Sequence, residues 1–321
     1  MTEGKPKKKQ IDVDDFMRLP VIFYNSIGVR PFEIVGKSGN WIHWYFGISV
    51  INMSIVLTMQ IIFVVTSFRD NGDILLTCNI MAFIACVTVG VLKIIAIQME
   101  SREMTNLVGQ FKSFSPLPSE WQEPYLRRCK TVTLGFGGLF SIMLFIHSIS
   151  PFVQYAFQSW WLHLPNVART LPFVSMAPWE WRKSWRYYPT YLLQMIAGYT
   201  AVCGHIAADL TIFSMTMLVT MHFDKLTESL RNFDIRNNRI SNGAEEDLKE
   251  LRLTNVVNKV FGIPLLLNFV SSSVLVCLVG FQLTLGISID YFFKQLVIIV
   301  APLLEVYLLC HFSQMLITAV C

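Results

Sequence analysis

Four charged residues sit inside long apolar runs: Lys93, Asp209, Lys294 and Glu305. A charge kept in such a run is costly, and its presence marks either chemistry or pairing. Asp209 and Glu305 are carboxylates of the kind that relay protons or pass cations. Lys93 falls at the depth of Asp209, so the expectation for Asp209 is a pair with it. Glu305, near the middle of its run, is open to either role. Lys93 and Lys294 also lie within four residues of a run end, from which a long side chain reaches the headgroups. His147, His205 and His311 occupy three different runs at different depths, so no shared metal site is assigned. No Ser-His-Asp set, phosphate loop or zinc spacing is present. The chain is not expected to be an enzyme, and no cofactor is implied.

The aromatic and methionine positions form a second set. Phe145, Ile149, Phe152 and Tyr155 share one helical face, and Tyr188, Tyr191, Met195 and Tyr199 share another. Cys78 and Met81 lie at matching depth in a third run, Phe281 and Leu285 in a fourth. Such faces, if they converge, build an apolar cavity with a few hydroxyls, which suits a small volatile or lipid-like molecule. Ordinary helix packing is the competing reading for most of these positions. Trp160, Trp161, Trp179, Trp181 and Trp185 crowd one connection, where indoles anchor at an interface or cap a cavity.

These residues need elements that hold them across an apolar medium. The chain has 321 residues, 53% hydrophobic and only 15% charged, and its mean hydropathy is +0.49. Soluble domains carry about 25% charged residues. Six runs can cross a bilayer core of about 30 Å as helices: residues 42–68, 74–97, 131–157, 190–218, 260–288 and 291–317. Their lengths and lack of alternation exclude barrel strands. The fold expected is an all-α membrane protein, a polytopic transmembrane helix bundle. Residues 1–41 form an N-terminal segment, 42–317 the six-span bundle, and 318–321 a short C-terminus. Within the bundle, 98–130 and 222–259 are connections on one side and 158–189 is a large connection on the other. Pro116 and Pro118 break any helix in the first, and Glu245–Asp247 marks a helix start in the second.

Lys and Arg orient the bundle. Nineteen of the 26 fall in 1–41, 98–130 and 222–259, and five in the opposite connections. The N-terminus is therefore expected to be cytoplasmic. A net charge of +4 implies no nucleic-acid partner. The N-inside orientation, the missing Asp-Arg-Tyr after the third span and the lack of an outer cysteine pair argue against a rhodopsin-like receptor, so no G protein is expected.

Ordered pieces of sequence then resemble a family. Arg18-Leu19 leads to Gly28-Val29-Arg30-Pro31. Leu171-Pro172-Phe173 is followed by Pro178-Trp179, Tyr187-Tyr188, Tyr191 and Gln194. Asp209 lies above Phe223 and Leu226, and the last helix reads Cys310-His311-Phe312-Ser313-Gln314-Met315-Leu316-Ile317. From about residue 16 onward the chain resembles an insect odorant receptor, of seven-span inverted topology. The resemblance implies a subunit of an odorant-gated cation channel in the plasma membrane of a sensory neuron, a heterotetramer with a co-receptor, that binds a volatile ligand. The pocket implied lies in the outer half, with Met81, Phe145, Ile149, Phe152, Tyr155, Tyr188, Tyr191, Met195, Tyr199 and Phe281 as candidates. The family continues into a pore-lining seventh span, and the expectation for a chain ending at Cys321 is a form without it. A gustatory-type receptor and a small-molecule or ion transporter using Asp209 and Glu305 are the alternatives.

Overall fold

A computed structural model describes residues 11–30, 41–70, 72–113, 118–163, 167, 169–182, 184–231, 240–284 and 289–320. The described residues form helices α1 (Val13–Ser26), α2 (Trp41–Arg69), α3 (Ile74–Met99), α4 (Ser101–Ser113), α5 (Ser119–Ala156), α6 (Tyr187–Arg231), α7 (Ile240–Thr284) and α8 (Ile289–Val320). Among the described residues, six helices are long and apolar enough to cross a membrane, and they are the six expected. With no water to bond to, their backbones satisfy themselves within each helix. Leu285 lies outside the described residues, as does the side chain of Lys294. The end of the bundle where α2 meets α3 is called upper below, and the other end lower.

Helix α6 is the axis. Along its most apolar eighteen residues 94% of the positions are buried, against 22–39% for the other five spans. Its neighbours approach closely because small residues line it. A Cβ on Gly90 of α3 would lie 3.0 Å from the Ala201 carbonyl oxygen of α6, and one on Gly204 would collide with the Ile94 side chain. Small residues of this kind let helix backbones meet in a membrane, where apolar burial gives little selectivity between helices and lipid.

Several helices run beyond the expected spans at the lower end. Helix α5 starts at Ser119, directly after Pro118. Helix α7 restarts at Ile240, ahead of the acidic turn at Glu245–Asp247. Helix α1 is an addition to the sequence reading. Asp12 accepts from Val13 N–H at 2.7 Å, and Asp15 accepts from Asp12 N–H at 3.2 Å, a reciprocal cap. Gly28, at φ 77°, follows its C-terminal turn in a conformation suited to glycine. Its buried face carries Phe16, Met17 and Tyr24, and burial pushes the Tyr24 phenol above its ordinary pKa.

The large core cluster lies low. It joins Phe16 and Met17 of α1, Met104 and Phe111 of α4, and Phe136 of α5 to Phe213 of α6 and Phe312 of α8. No α5 member of it lies above Phe136.

The Gly90–Ala201 approach gives a direct test. Gly90→Val should lower the melting temperature of the purified chain, because a backbone oxygen cannot yield. Gly138→Val, where a Cβ meets nothing within 4 Å, should leave it near wild type. Equal melting of the two variants in a fluorescence size-exclusion assay would discard the close-packed interface.

Candidate functional site

Two polar assemblies stand out, one at mid-depth and one above it. At mid-depth Lys93 of α3 is buried and does not reach a headgroup. Its Nζ donates to Asp209 Oδ1 at 2.9 Å and to Glu305 Oε1 at 3.1 Å. The expected Lys93–Asp209 pair is therefore present, and Glu305 of α8 joins it. His205, one turn above Asp209 on α6, has Nε2 3.1 Å from Glu305 Oε2 and 3.4 Å from Asp209 Oδ2. Asn268 of α7 donates from Nδ2 to Asp209 Oδ1 at 2.9 Å. One cluster thus ties α3, α6, α7 and α8.

His205, Asp209 and Glu305 each offer one metal-ligand atom, all within 4.8 Å of one another. The cation among them is Lys93, whose Nζ also lies 3.2 Å from both ring nitrogens of His205. The three side chains are held together by that ammonium. The other two histidines are elsewhere: His147 lies in the upper half of α5, and His311 stacks on Tyr307 at 6.1 Å.

The upper half is organised by the connection between α5 and α6. Residues 170–178 are not helical, yet they dip between the helices. Met176 N–H donates to the Met59 carbonyl of α2 at 3.3 Å. Met59 lies ten residues, about 15 Å, below the upper end of α2. Irregular backbone at such depth is tolerated when protein groups satisfy it, and side chains of α6 do so. Gln194 accepts from Phe173 N–H at 3.1 Å and donates to Ser175 Oγ at 2.8 Å. The Tyr187 hydroxyl donates to the Thr170 carbonyl at 3.0 Å, and Trp179 Nε1 donates to Thr190 Oγ1 at 3.0 Å.

This strap has two sides. Leu171, Phe173 and Ser175 are buried, whereas Val174 and Met176 are exposed. The Phe173 ring meets Phe83 of α3 at 5.2 Å and His147 of α5 at 5.3 Å. A Cβ on Gly198 of α6 would come within 2.7 Å of that ring. On the outward side, Met176 and Pro178 join Ser54, Ile55, Thr58 and Met59 of α2 around an apolar groove of about 680 Å³.

The sequence candidates divide around this strap. The Arg169 guanidinium sits 5.8, 5.4 and 5.6 Å from the rings of Tyr155, Tyr187 and Tyr188, an aromatic box at the strap's start. The Tyr191 hydroxyl donates to the Ser148 carbonyl, joining α6 to α5. Ile149 and Met195 are half-buried on those two helices. Met81, Phe145, Phe152, Tyr188, Tyr199 and Phe281 are exposed on the surface of the chain, with the Tyr199 hydroxyl near Ser26 and Cys203. Sequence periodicity left out Phe83, Gly198, Arg169 and the strap contacts of Phe173 and Gln194. The available signal was Leu171-Pro172-Phe173, an apolar tripeptide in a connection otherwise rich in Trp and charge.

The ion cluster predicts a clear asymmetry. Lys93→Met leaves two buried carboxylates facing each other and should cost about 3–5 kcal/mol, read as loss of the monodisperse species on heating. The triple variant Lys93→Met, Asp209→Asn, Glu305→Gln should recover much of that loss. A Lys93→Met protein as heat-resistant as wild type would contradict the network.

The family described as 7tm Odorant receptor matches residues 73–320. Odorant receptor 67a of Drosophila melanogaster is 44% identical over 98% of this chain and 81% of its own length. Odorant receptor 85c of the same species is 30% identical over 95% of this chain and 82% of its own length. Among solved structures, the olfactory receptor OR5 of Machilis hrabei superposes with a TM-score of 0.77 at 15% identity, over 94% of this chain and 79% of that one. A second structure of that receptor, in complex with eugenol, superposes with a TM-score of 0.73 at 16% identity, over 92% and 78%.

Proposed function

The chain belongs to the 7tm odorant receptor family, and from that premise we propose that it holds a small volatile ligand in the upper half of its bundle and gates a cation channel together with a co-receptor subunit. As an odorant receptor it is a multi-pass membrane protein, not an enzyme. The finer reading has the N-terminus in the cytoplasm and the upper end facing outward across the plasma membrane. The charge distribution supports that orientation, with nineteen of 26 basic residues falling in the sequence segments 1–41, 98–130 and 222–259.

The observation that carries the ligand site is the strap. Protein backbone is brought deep into the upper half, where α6 side chains bond Phe173 N–H and the Thr170 carbonyl and α2 bonds Met176 N–H. Around it lie aromatic rings, a half-buried tyrosine and few charges, the surroundings a small apolar molecule requires. The large core cluster fills the lower half instead. Of the candidates, Tyr155, Tyr191, Ile149 and Met195 line the α5–α6 side of this region. Asp209 and Glu305 are engaged by Lys93, which speaks against a transporter path through them.

Ligand protection tests the binding half of the proposal. Saturable volatiles should raise the melting temperature of the purified chain, with about 2.7 kcal/mol of stabilisation at one hundred times Kd. Tyr191→Ala should reorder the panel while surface expression stays close to wild type. A panel that protects wild type and variant in the same order would remove Tyr191 from the site. Volatile-evoked cation current on co-expression with an odorant co-receptor tests the gating half.

A further inference from the structure

The slot that holds the Phe173 ring is built unlike ordinary packing. Its walls come from two different helices. Phe83 meets the ring edge-on, with planes 77° apart. His147 lies tilted at 39° and itself touches Phe83 at 4.9 Å. Its floor is Gly198, where any side chain would collide with the ring. Two aromatic walls and a glycine floor enclose one six-membered ring, that of Phe173.

The occupant of that slot arrives on an irregular segment, not on a helix. Its neighbours on the strap, Val174 and Met176, are exposed. The inner part of the strap is tied to α6 through one residue, Gln194, which bonds both Phe173 N–H and Ser175 Oγ. Withdrawal of the ring therefore needs no helix to unwind. The Gln194 bonds and the Met176–Met59 bond to α2 break, and the open groove beside α2 leaves room for the strap to shift outward.

We propose that the Phe83–His147–Gly198 slot is a binding site for a single-ring aromatic molecule, and that Phe173 is its built-in occupant, displaced when ligand enters. The proposal rests on the reading of the upper half as the volatile site and names the ligand class and the gatekeeper. It makes Phe173 a competitor whose occupancy sets the apparent affinity. If the slot is free in one molecule in ten, a ligand binds about tenfold more weakly than to an empty slot. Gln194 acts as a positioning residue, since it strengthens the competitor without lining the slot.

The test is displacement, read on the full chain in lipid nanodiscs with toluene as the probe. Phenylalanines are replaced by 4-fluorophenylalanine, and the fluorine resonance of Phe173 is assigned by its absence in Phe173→Leu and that of Phe83 by its absence in Phe83→Leu. Toluene should shift both resonances with one common midpoint, Phe173 moving toward its solvent-exposed value. Phe173→Ala should lower the midpoint at Phe83 about tenfold. Gln194→Ala, which creates no cavity in the slot, should lower it in the same direction, and that change separates a held competitor from a hole left by truncation. Toluene that shifts Phe83 while Phe173 stays in place would overturn the proposal, as would a midpoint unchanged by Gln194→Ala. Displacement without any volatile-evoked current would leave the slot standing and remove the channel reading.

Discussion

Everything at mid-depth depends on one ammonium. Lys93 carries a full charge at a position with no exposure, and breaking such a buried pair costs several kcal/mol. Its partners come from α6 and α8, and Asn268 adds α7. Sliding any of these helices by one turn, about 5.4 Å, would strand a charge or an amide in an apolar medium. The cluster therefore sets the register of four helices at once. Apolar contacts could not do so, because lipid is as apolar as the helices it would separate.

The strap obeys the same rule with backbone in place of charge. Residues 170–178 bring peptide groups to a depth where each needs a partner. Gln194 accepts from Phe173 N–H, the Tyr187 hydroxyl donates to the Thr170 carbonyl and the Met59 carbonyl accepts from Met176 N–H, while Gln194 and Thr190 also hold the Ser175 and Trp179 side chains. These polar residues on and beside α6 look out of place in an apolar span until the strap is laid against them. α6 gives side chains to both assemblies, Asp209 and His205 to the ion cluster and Gln194 and Thr190 to the strap.

The spans were legible because length and missing charge suffice to define them. The Lys93–Asp209 pair was legible because depth along a helix follows from residue counting. The headgroup reading of Lys93 failed for a physical reason: its aliphatic stem can reach either way, and Glu305 of α8 adds a second carboxylate on the inner side. Counting along single helices does not bring α8 to that place. Helix α1 is not marked by length or apolarity, and its one local signal is the Asp12–Asp15 cap. The aromatic faces show the deeper limit. On α5, Phe145 and Phe152 share a face by spacing, but the side chain aimed at the strap is His147. In a membrane the outward face is as apolar as the inward one, so periodicity finds a face without saying which way it points.

One stripe on α6 joins the two assemblies. Gln194, Gly198, Ala201, His205 and Asp209 follow one another at spacings of four, three, four and four, which is a single helical face. From Gly198 at the slot to Asp209 in the cluster is eleven residues, about 16 Å along a continuous helix. A ligand changes a conformational equilibrium only through contacts that differ between the states. The lower stretch of the stripe is pinned by Lys93 and Glu305, so it offers little difference to exploit. The elements that reach the slot or the strap without joining the hydrogen-bonded cluster are α2, α5 and the strap itself. His147 on α5, Met59 on α2 and Phe173 on the strap are their respective contacts there. On the proposed ligand entry, contacts of these three can change without breaking the ion cluster, against α6 as the reference.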